Sequence, residues 1–435
     1  MINPYLCISS NSISSMKNTI LILLLLFLGS YSSYGQLYVE KQTRHRFAQL
    51  NFGVDVETNL GGSTSFLSPT GSIEQIDLQS TIKPRLLIGG THFWGHADFY
   101  IAIPIGFPTL EEQQQEIQYL RGVETVFKYY PWRITKNKIR PYVGFSVAPF
   151  YFEQSNNLLD FGNGPELNHT SFPLLTGFTY QRKNSLLELG MAWNYRNEQS
   201  YFIDRTTQTT IDTPPVYLTL SFRKLLDTTL SAEKDWESGR TKEITDQMGK
   251  KLNDFYFGVG LSSAFWLGSS SYNERNRPYM EDYGISIMPD FTIGYYLNKP
   301  DINFAMGYRG YSTSSTTYGA AQSLRRRSFV AEVTKYLFDY NGFAPFIGPA
   351  VSHENIRFIE SFESQQTFNF TEERMAYGVT FGWDIRPNKI QSFILRTNLR
   401  WYPNLKLDIN DRGSVNFSNI EFNFIQLIIY PDRLF

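Results

Sequence analysis

"VFKYYPWRITKNKIRPYVGFSVAPF", residues 126–150, is echoed by "VTKYLFDYNGFAPFIGPAVSH", residues 333–353. Both run Val-x-Lys-Tyr, a polar turn, then x-Pro-aromatic-aliphatic-Gly. Aromatic and β-branched residues on either side of a turn read as a hairpin. The repetition extends outward from this point. At an offset of about 205 residues, Phe52-Gly53-Val54 aligns with Phe257-Gly258-Val259, Pro84 and Gly89 with Pro289 and Gly294, and Asp98 and Ala102 with Asp301 and Ala305. Lys128-Tyr129 aligns with Lys335-Tyr336, Pro141 and Gly144 with Pro345 and Gly348, and Gly177 with Gly378. The order never breaks. The chain is an internal duplication whose unit is longer than any solenoid repeat.

Within each half the pattern has period two. "SLLELGMAWNYR", residues 185–196, puts Leu187, Leu189, Met191, Trp193 and Tyr195 on one face and Glu188, Gly190, Ala192, Asn194 and Arg196 on the other. Sixteen such strands fit the sequence, eight from 47–57 to 215–224 and eight from 254–267 to 419–430. Most are about the length a tilted strand needs to cross a bilayer. Short turns such as "WGHA", "RKNS", "NKP" and "DYNG" alternate with long loops at 58–83, 154–171, 268–283, 355–373 and 403–418. That asymmetry belongs to an outer-membrane barrel, with tight periplasmic turns and long extracellular loops. The predicted fold is all-β: a transmembrane antiparallel up-and-down barrel made of two eight-stranded repeats, the alternative being one sixteen-stranded barrel.

The bulk numbers agree. Aromatic residues make up 16% of the chain and charged residues only 19%, and a net charge of -1 gives no electrostatic footing for nucleic acid. Residues 17–36 hold a lysine, an apolar run from Ile20 to Leu28, and Ser33-Tyr34-Gly35 as a small-x-small cleavage site, which is a signal peptide. Met16 directly before Lys17 marks the natural start, with residues 1–15 an over-called extension and 1–35 the removed segment. The single cysteine, Cys7, lies in that segment. The first repeat then occupies 46–224, a periplasmic linker 225–253, and the second repeat 254–435.

The chain resembles the small eight-stranded outer-membrane barrels of the OmpA-transmembrane and OmpX kind, in the form common among secreted proteins of Bacteroidetes. The hairpin "KYYP...IRPYVGFS" at 128–146, its copy at 335–350, the signal peptide and the terminal Phe435 carry the likeness. It covers nearly all of 46–435 and rests on strand patterns. Pro431-Asp432 interrupts the last strand, where the family alternates cleanly into its terminal aromatic. The resemblance implies an outer-membrane location, contact with membrane lipid and lipopolysaccharide, and handling by the barrel-assembly machinery.

The linker separates the two architectures. Adjacent strands of one barrel lie about 5 Å apart and need no such span, whereas two closed barrels need a chain that leaves one and reaches the other. Two barrels are therefore expected. Eight strands enclose a lumen that side chains fill, and sixteen leave an aqueous channel.

The polar faces supply the expected filling, a structural charge network of Asp55, Arg85, Asp98, Glu124, Lys128, Arg140, Glu188, Arg196, Asp290, Asp301, Lys335 and Arg396. Glu124 and Lys128, four apart on one strand, are expected to share an inward face with Arg140 available on the hairpin partner.

Other constellations read as ordinary. "HFWGH" at 92–96 sits at a turn without a third ligand nearby in sequence, so no metal is assigned. His45, His169 and His353 are isolated. No Ser, His and acid arrangement stands out, so neither an enzyme nor a cofactor is expected. "LRRRS" at 324–328 is expected to place Arg325 and Arg327 in the lumen, the alternative being a grip on lipopolysaccharide phosphates. By that parity Glu332 falls on the lipid face, unless a bulge shifts the register. Tyr129, Tyr130, Trp132, Trp193, Tyr195, Trp401 and Tyr402 are expected to form interfacial girdles. The functional expectation is a non-enzymatic outer-membrane protein, structural or adhesive, acting through its extracellular loops; a porin or channel is the alternative.

Overall fold

Alternating aromatic and β-branched residues on one face and polar or small residues on the other give sixteen long strands. A computed structural model describes residues 48–433 except 69, 107–108, 113–114, 157–163, 228–252, 281–282, 284–285, 341 and 387–392. The expected signal peptide and extension 1–15, Cys7, His45, most of the expected linker 225–253 and Phe435 lie outside the described residues.

The first half contributes β1 (Ala48–Leu60), β2 (Ile82–His92), β3 (Ala97–Pro104), β4 (Glu124–Tyr129), β5 (Ile139–Asn156), β6 (Leu174–Arg182), β7 (Ser185–Trp193) and β8 (Val216–Asp227). Each pairs antiparallel with its sequence neighbour, and β8 returns to β1 in a register running from Gln49↔Asp227 to Leu60↔Val216. The second half contributes β9 (Asp254–Trp266), β10 (Ser286–Leu297), β11 (Ile302–Thr317), β12 (Ala320–Tyr336), β13 (Phe343–Phe362), β14 (Gln365–Ile385), β15 (Phe393–Tyr402) and β16 (Asn419–Ile429). Here β16 returns to β9, with Phe257↔Ile429 at one end and Trp266↔Asn419 at the other.

Among the described residues no strand of one ring pairs with a strand of the other, so the chain forms two closed eight-stranded barrels rather than one of sixteen. Closure matters because a spanning sheet must satisfy its backbone groups internally. The outward faces are apolar, with Phe52, Val54, Leu189 and Leu220 exposed on the first barrel and Phe257, Ile293, Met306 and Phe381 on the second.

The repeat is shifted by one residue inside the hairpin that revealed it. Lys128 is buried in its lumen, whereas Lys335 is exposed and Tyr336 buried, so the position facing inward like Tyr336 is Tyr130. Tyr130 packs against Tyr142 at 5.6 Å between ring centroids, and Tyr336 against Phe346 at the same separation. The motif glycines have a shared cause. A Cβ on Gly144 would lie 2.2 Å from the Phe127 carbonyl oxygen, and one on Gly348 would lie 1.8 Å from that of Val333. Strands this close admit only glycine. Gly348→Ala is expected to cost about 1–3 kcal/mol through forced strand displacement. The check is the urea midpoint of the refolded protein, and an unchanged midpoint would contradict this account of the motif.

The described residues of the long connections form caps at the rim opposite the chain termini. Above the first barrel, strands Ser63–Leu67, Ile73–Asp77, Glu198–Phe202 and Gln208–Asp212 form a second sheet, and β5 continues into pairings with Gln115–Arg121 and Glu166–Ser171. Phe66, Ile76, Ile117, Phe152, Tyr201 and Ile211 make its core. The segment 355–373 and the residues between 311 and 327 are strand rather than loop: β11 to β14 run on past the apolar band to tight turns at Tyr318-Gly319 and Glu363-Ser364, all four residues at positive φ. This pair of positive φ angles suits hairpin twist. Inside the raised wall lie helix α1 (Ser271–Asn276) and the hairpin Lys406–Asp408/Ser414–Asn416, sealed by Tyr272, Leu324, Phe358, Leu407, Ile409 and Phe417.

The barrels lie side by side. Phe99 faces outward from β3 yet is buried, its ring 4.5 Å from Phe424 and 6.0 Å from Phe422 of β16. Phe93 meets Phe343 at 5.3 Å near the rim of the termini. At the capped rim, Arg205 donates to the Tyr318 carbonyl at 2.8 and 3.0 Å, and Glu166 accepts from the Ser315 hydroxyl and the Thr316 N–H.

Candidate functional site

The lumens hold the densest chemistry. In the first barrel Arg85 on β2 sits opposite Asp55 on β1 and binds it with two hydrogen bonds of 2.8 and 2.7 Å. The same guanidinium reaches Glu57 at 2.7 Å and Glu124 at 2.8 Å, and Arg121 completes the cluster against Glu57 and Glu124. One layer closer to the termini, Arg223 bridges Asp98 at 2.7 Å and Glu188 at 2.9 Å, and Lys128 bonds Glu188.

The second barrel repeats the plan with different residues. Arg326 holds Glu354 through two bonds of 2.6 Å and reaches across to Glu421 at 2.8 Å. Arg400 holds Asp290 and Glu332, both at 2.5 Å, and Arg309 approaches Glu421 at 2.9 Å. Arg396 pairs with Asp384 at 2.8 Å. These bonds tie β4 to β7, β3 to β8, β12 to β16 and β10 to β15, so the filling cross-links each wall from inside.

Of the residues predicted for this network, Asp55, Arg85, Asp98, Glu124, Lys128, Glu188, Asp290 and Arg396 lie buried in a lumen. Four do not. Arg140 sits at the rim, bonding the Arg133 carbonyl and Thr135. Arg196 is exposed, Asp301 accepts from Tyr296 in a rim turn, and Lys335 is exposed. These positions end or leave their strands, or follow the one-residue shift, so parity counted from the strand centre does not reach them. The expected grouping of Glu124, Lys128 and Arg140 is likewise replaced: Glu124 answers to Arg85 and Arg121, and Lys128 to Glu188. Sequence reasoning missed Glu57, Arg121, Arg309, Arg326, Glu332, Glu354, Asp384, Arg400 and Glu421; in β12 the shared parity of the polar residues Gln322, Arg326, Ser328, Glu332 and Thr334 was the available signal.

The basic run is corrected as a whole. Arg326 faces the lumen, and Arg325 and Arg327 face outward. That single change of parity also brings Glu332 inside, 7% exposed and paired, with no bulge in β12 required. Tyr130 and Tyr402 leave the girdle as well: both are buried, and the Tyr402 hydroxyl accepts from Arg309 at 3.1 Å. His96 meets the Tyr130 carbonyl at 3.0 Å. His169, in the cap with its ring tilted against Phe150 at 5.3 Å, has its pKa lowered to about 4 by burial and is uncharged at neutral pH.

Comparison with known proteins gives likenesses of shape only. No family model matches the chain, and no curated protein matches it. Among solved structures, Neisserial surface protein A matches at 17% identity and TM-score 0.30, over 40% of this chain and 96% of that one. Ail, the attachment invasion locus protein of Yersinia pestis, matches at 9% identity and TM-score 0.24, over 41% of this chain and 96% of that one. A mutant of the monoaromatic hydrocarbon channel TodX matches at 10% identity and TM-score 0.20, over 88% of this chain and 89% of that one. The two closures rest on the strand pairing, and the pairing does not depend on these likenesses.

Proposed function

We propose that the protein is a non-enzymatic resident of a bacterial outer membrane, with the termini periplasmic and the caps outside, serving a structural or adhesive role through those caps. One observation carries this reading: each lumen is packed with paired charges and each outer mouth is covered by a folded, apolar-cored cap. Chemistry with the surroundings is then left to the outer surface. The hairpin Glu198–Asp212 and the tips at Tyr318-Gly319 and Glu363-Ser364 belong to the capped rim, away from the termini. Cells displaying the full chain are expected to adhere and aggregate more than cells displaying a chain whose residues 198–212 are replaced by a short Gly-Ser turn. Equal adhesion, with equal surface display confirmed by protease shaving, would overturn an adhesive role for this hairpin.

A further inference from the structure

The outward face of the raised wall carries a cluster of cations that the barrel itself does not answer. Arg325 on β12 lies directly opposite Arg357 on β13, side chains on the same face, and Arg327 follows two residues along β12. Like charges opposed across a ladder destabilise the pair, so an anion bound between them would relieve the repulsion. Among the described residues neither Arg325 nor Arg327 makes an ion pair, and Arg357 donates only to the Asn369 side chain at 3.1 Å. The carboxylate Glu373 on the same face is two strands from Arg327 and diagonal to Arg357 on the adjacent strand, where it is engaged by Asn355 at 2.9 Å and forms no ion pair with the arginines. Opposite the arginines on β11 stand Ser312 and Gly310, small residues that leave the space before the guanidiniums open.

That space is a cleft of about 460 Å³ bounded by Arg325, Arg327, Arg357, Phe291 and Tyr308. It continues toward the termini into an apolar groove of about 1020 Å³ that shares Phe291 and Tyr308 and runs along Ile293, Met306 and Phe329. Cations at one end, an apolar trough at the other and placement above the lipid-facing band describe a complement to an amphiphile with an anionic head. Guanidiniums bind phosphate oxygens with paired, charge-assisted hydrogen bonds.

We infer that Arg325, Arg327 and Arg357 form a binding site for the phosphate head of an outer-leaflet lipid whose acyl chain lies in the groove along Phe291, Tyr308 and Phe329. The site deepens the proposed outer-membrane placement but tests separately, because it concerns the barrel wall and not the caps.

The test uses the full chain in phosphatidylcholine nanodiscs, titrated with a phosphorylated glucosamine lipid, with the same lipid after enzymatic removal of its phosphates, and with inorganic phosphate. The triple variant Arg325→Gln/Arg327→Gln/Arg357→Gln alters only outward side chains, and Arg196→Gln, an exposed arginine of the first barrel, is the control. The expected result is saturable binding of the phosphorylated lipid that the triple change weakens at least ~10-fold, about 1.4 kcal/mol, and the control leaves alone. Retention of binding by Lys at all three positions supports a charge site. Equal affinity in wild type and triple variant, equal affinity for the dephosphorylated lipid, or full competition by millimolar inorganic phosphate would each overturn the assignment. Equal adhesion of cells with and without residues 198–212, with this binding intact, would count against the caps alone.

Discussion

Residues 36–230 and residues 250–435, expressed as separate chains and refolded in detergent, are each expected to give a heat-modifiable species on cold gels. The reason lies in the pairings of β8 with β1 and of β16 with β9, which leave neither half with an open edge. In a single ring of sixteen, each half would carry two unpaired edges in lipid, at several kcal/mol per unsatisfied group, and would not fold alone. The contacts of Phe99 with Phe422 and Phe424 add a second expectation. The two folded halves should associate weakly when mixed, because packing between apolar surfaces in lipid lacks the hydrophobic drive it has in water. Halves that fold only when co-expressed would contradict closure.

Arg326→Ala is expected to have the largest effect of any single substitution in the second lumen, about 3–5 kcal/mol, because it leaves the buried Glu354 without a cation and Glu421 with one of its two. Glu354 would keep only the Ser328 and Ser352 hydroxyls, and Glu421 only Arg309. In urea the second barrel should unfold earlier while the first is unmoved. Arg326→Ala/Glu354→Leu should recover part of the loss, since removing both members of a buried pair is far milder than stranding one. Equal midpoints for wild type and Arg326→Ala would show that the pair network does not hold the wall.

The strands and their faces were legible because lipid and lumen impose opposite demands on alternate residues, as in Leu187 against Glu188 or Phe291 against Asp290, whereas the two closures were legible only from the length of the 225–253 connection. Parity alone fixed Asp55, Arg85 and Glu188. It failed where its assumption failed. Beyond the bilayer, β11 to β14 no longer face lipid, so "YSTSSTTYGAAQS" carries no apolar alternation and reads as loop although every residue of Tyr311–Thr317 is strand. The parity of "LRRRS" turns on one residue, and three consecutive arginines give no internal clue to which faces in. The pairing of Glu124 with Arg85 was hidden for a different reason. Barrel curvature brings β2 and β4 together across the lumen, and hairpin adjacency does not report that approach. Cap packing, with Tyr272 and Phe417 far apart in sequence, is likewise a property of the closed ring.

Two closed and filled barrels carry no aqueous channel, and planar-bilayer recording of the full refolded chain decides the point. The predicted trace shows no stable conductance steps of the size an open sixteen-stranded pore gives, at any holding potential that leaves the bilayer intact. Large, uniform and long-lived steps, lost when the chain is heat-denatured before addition, would contradict it.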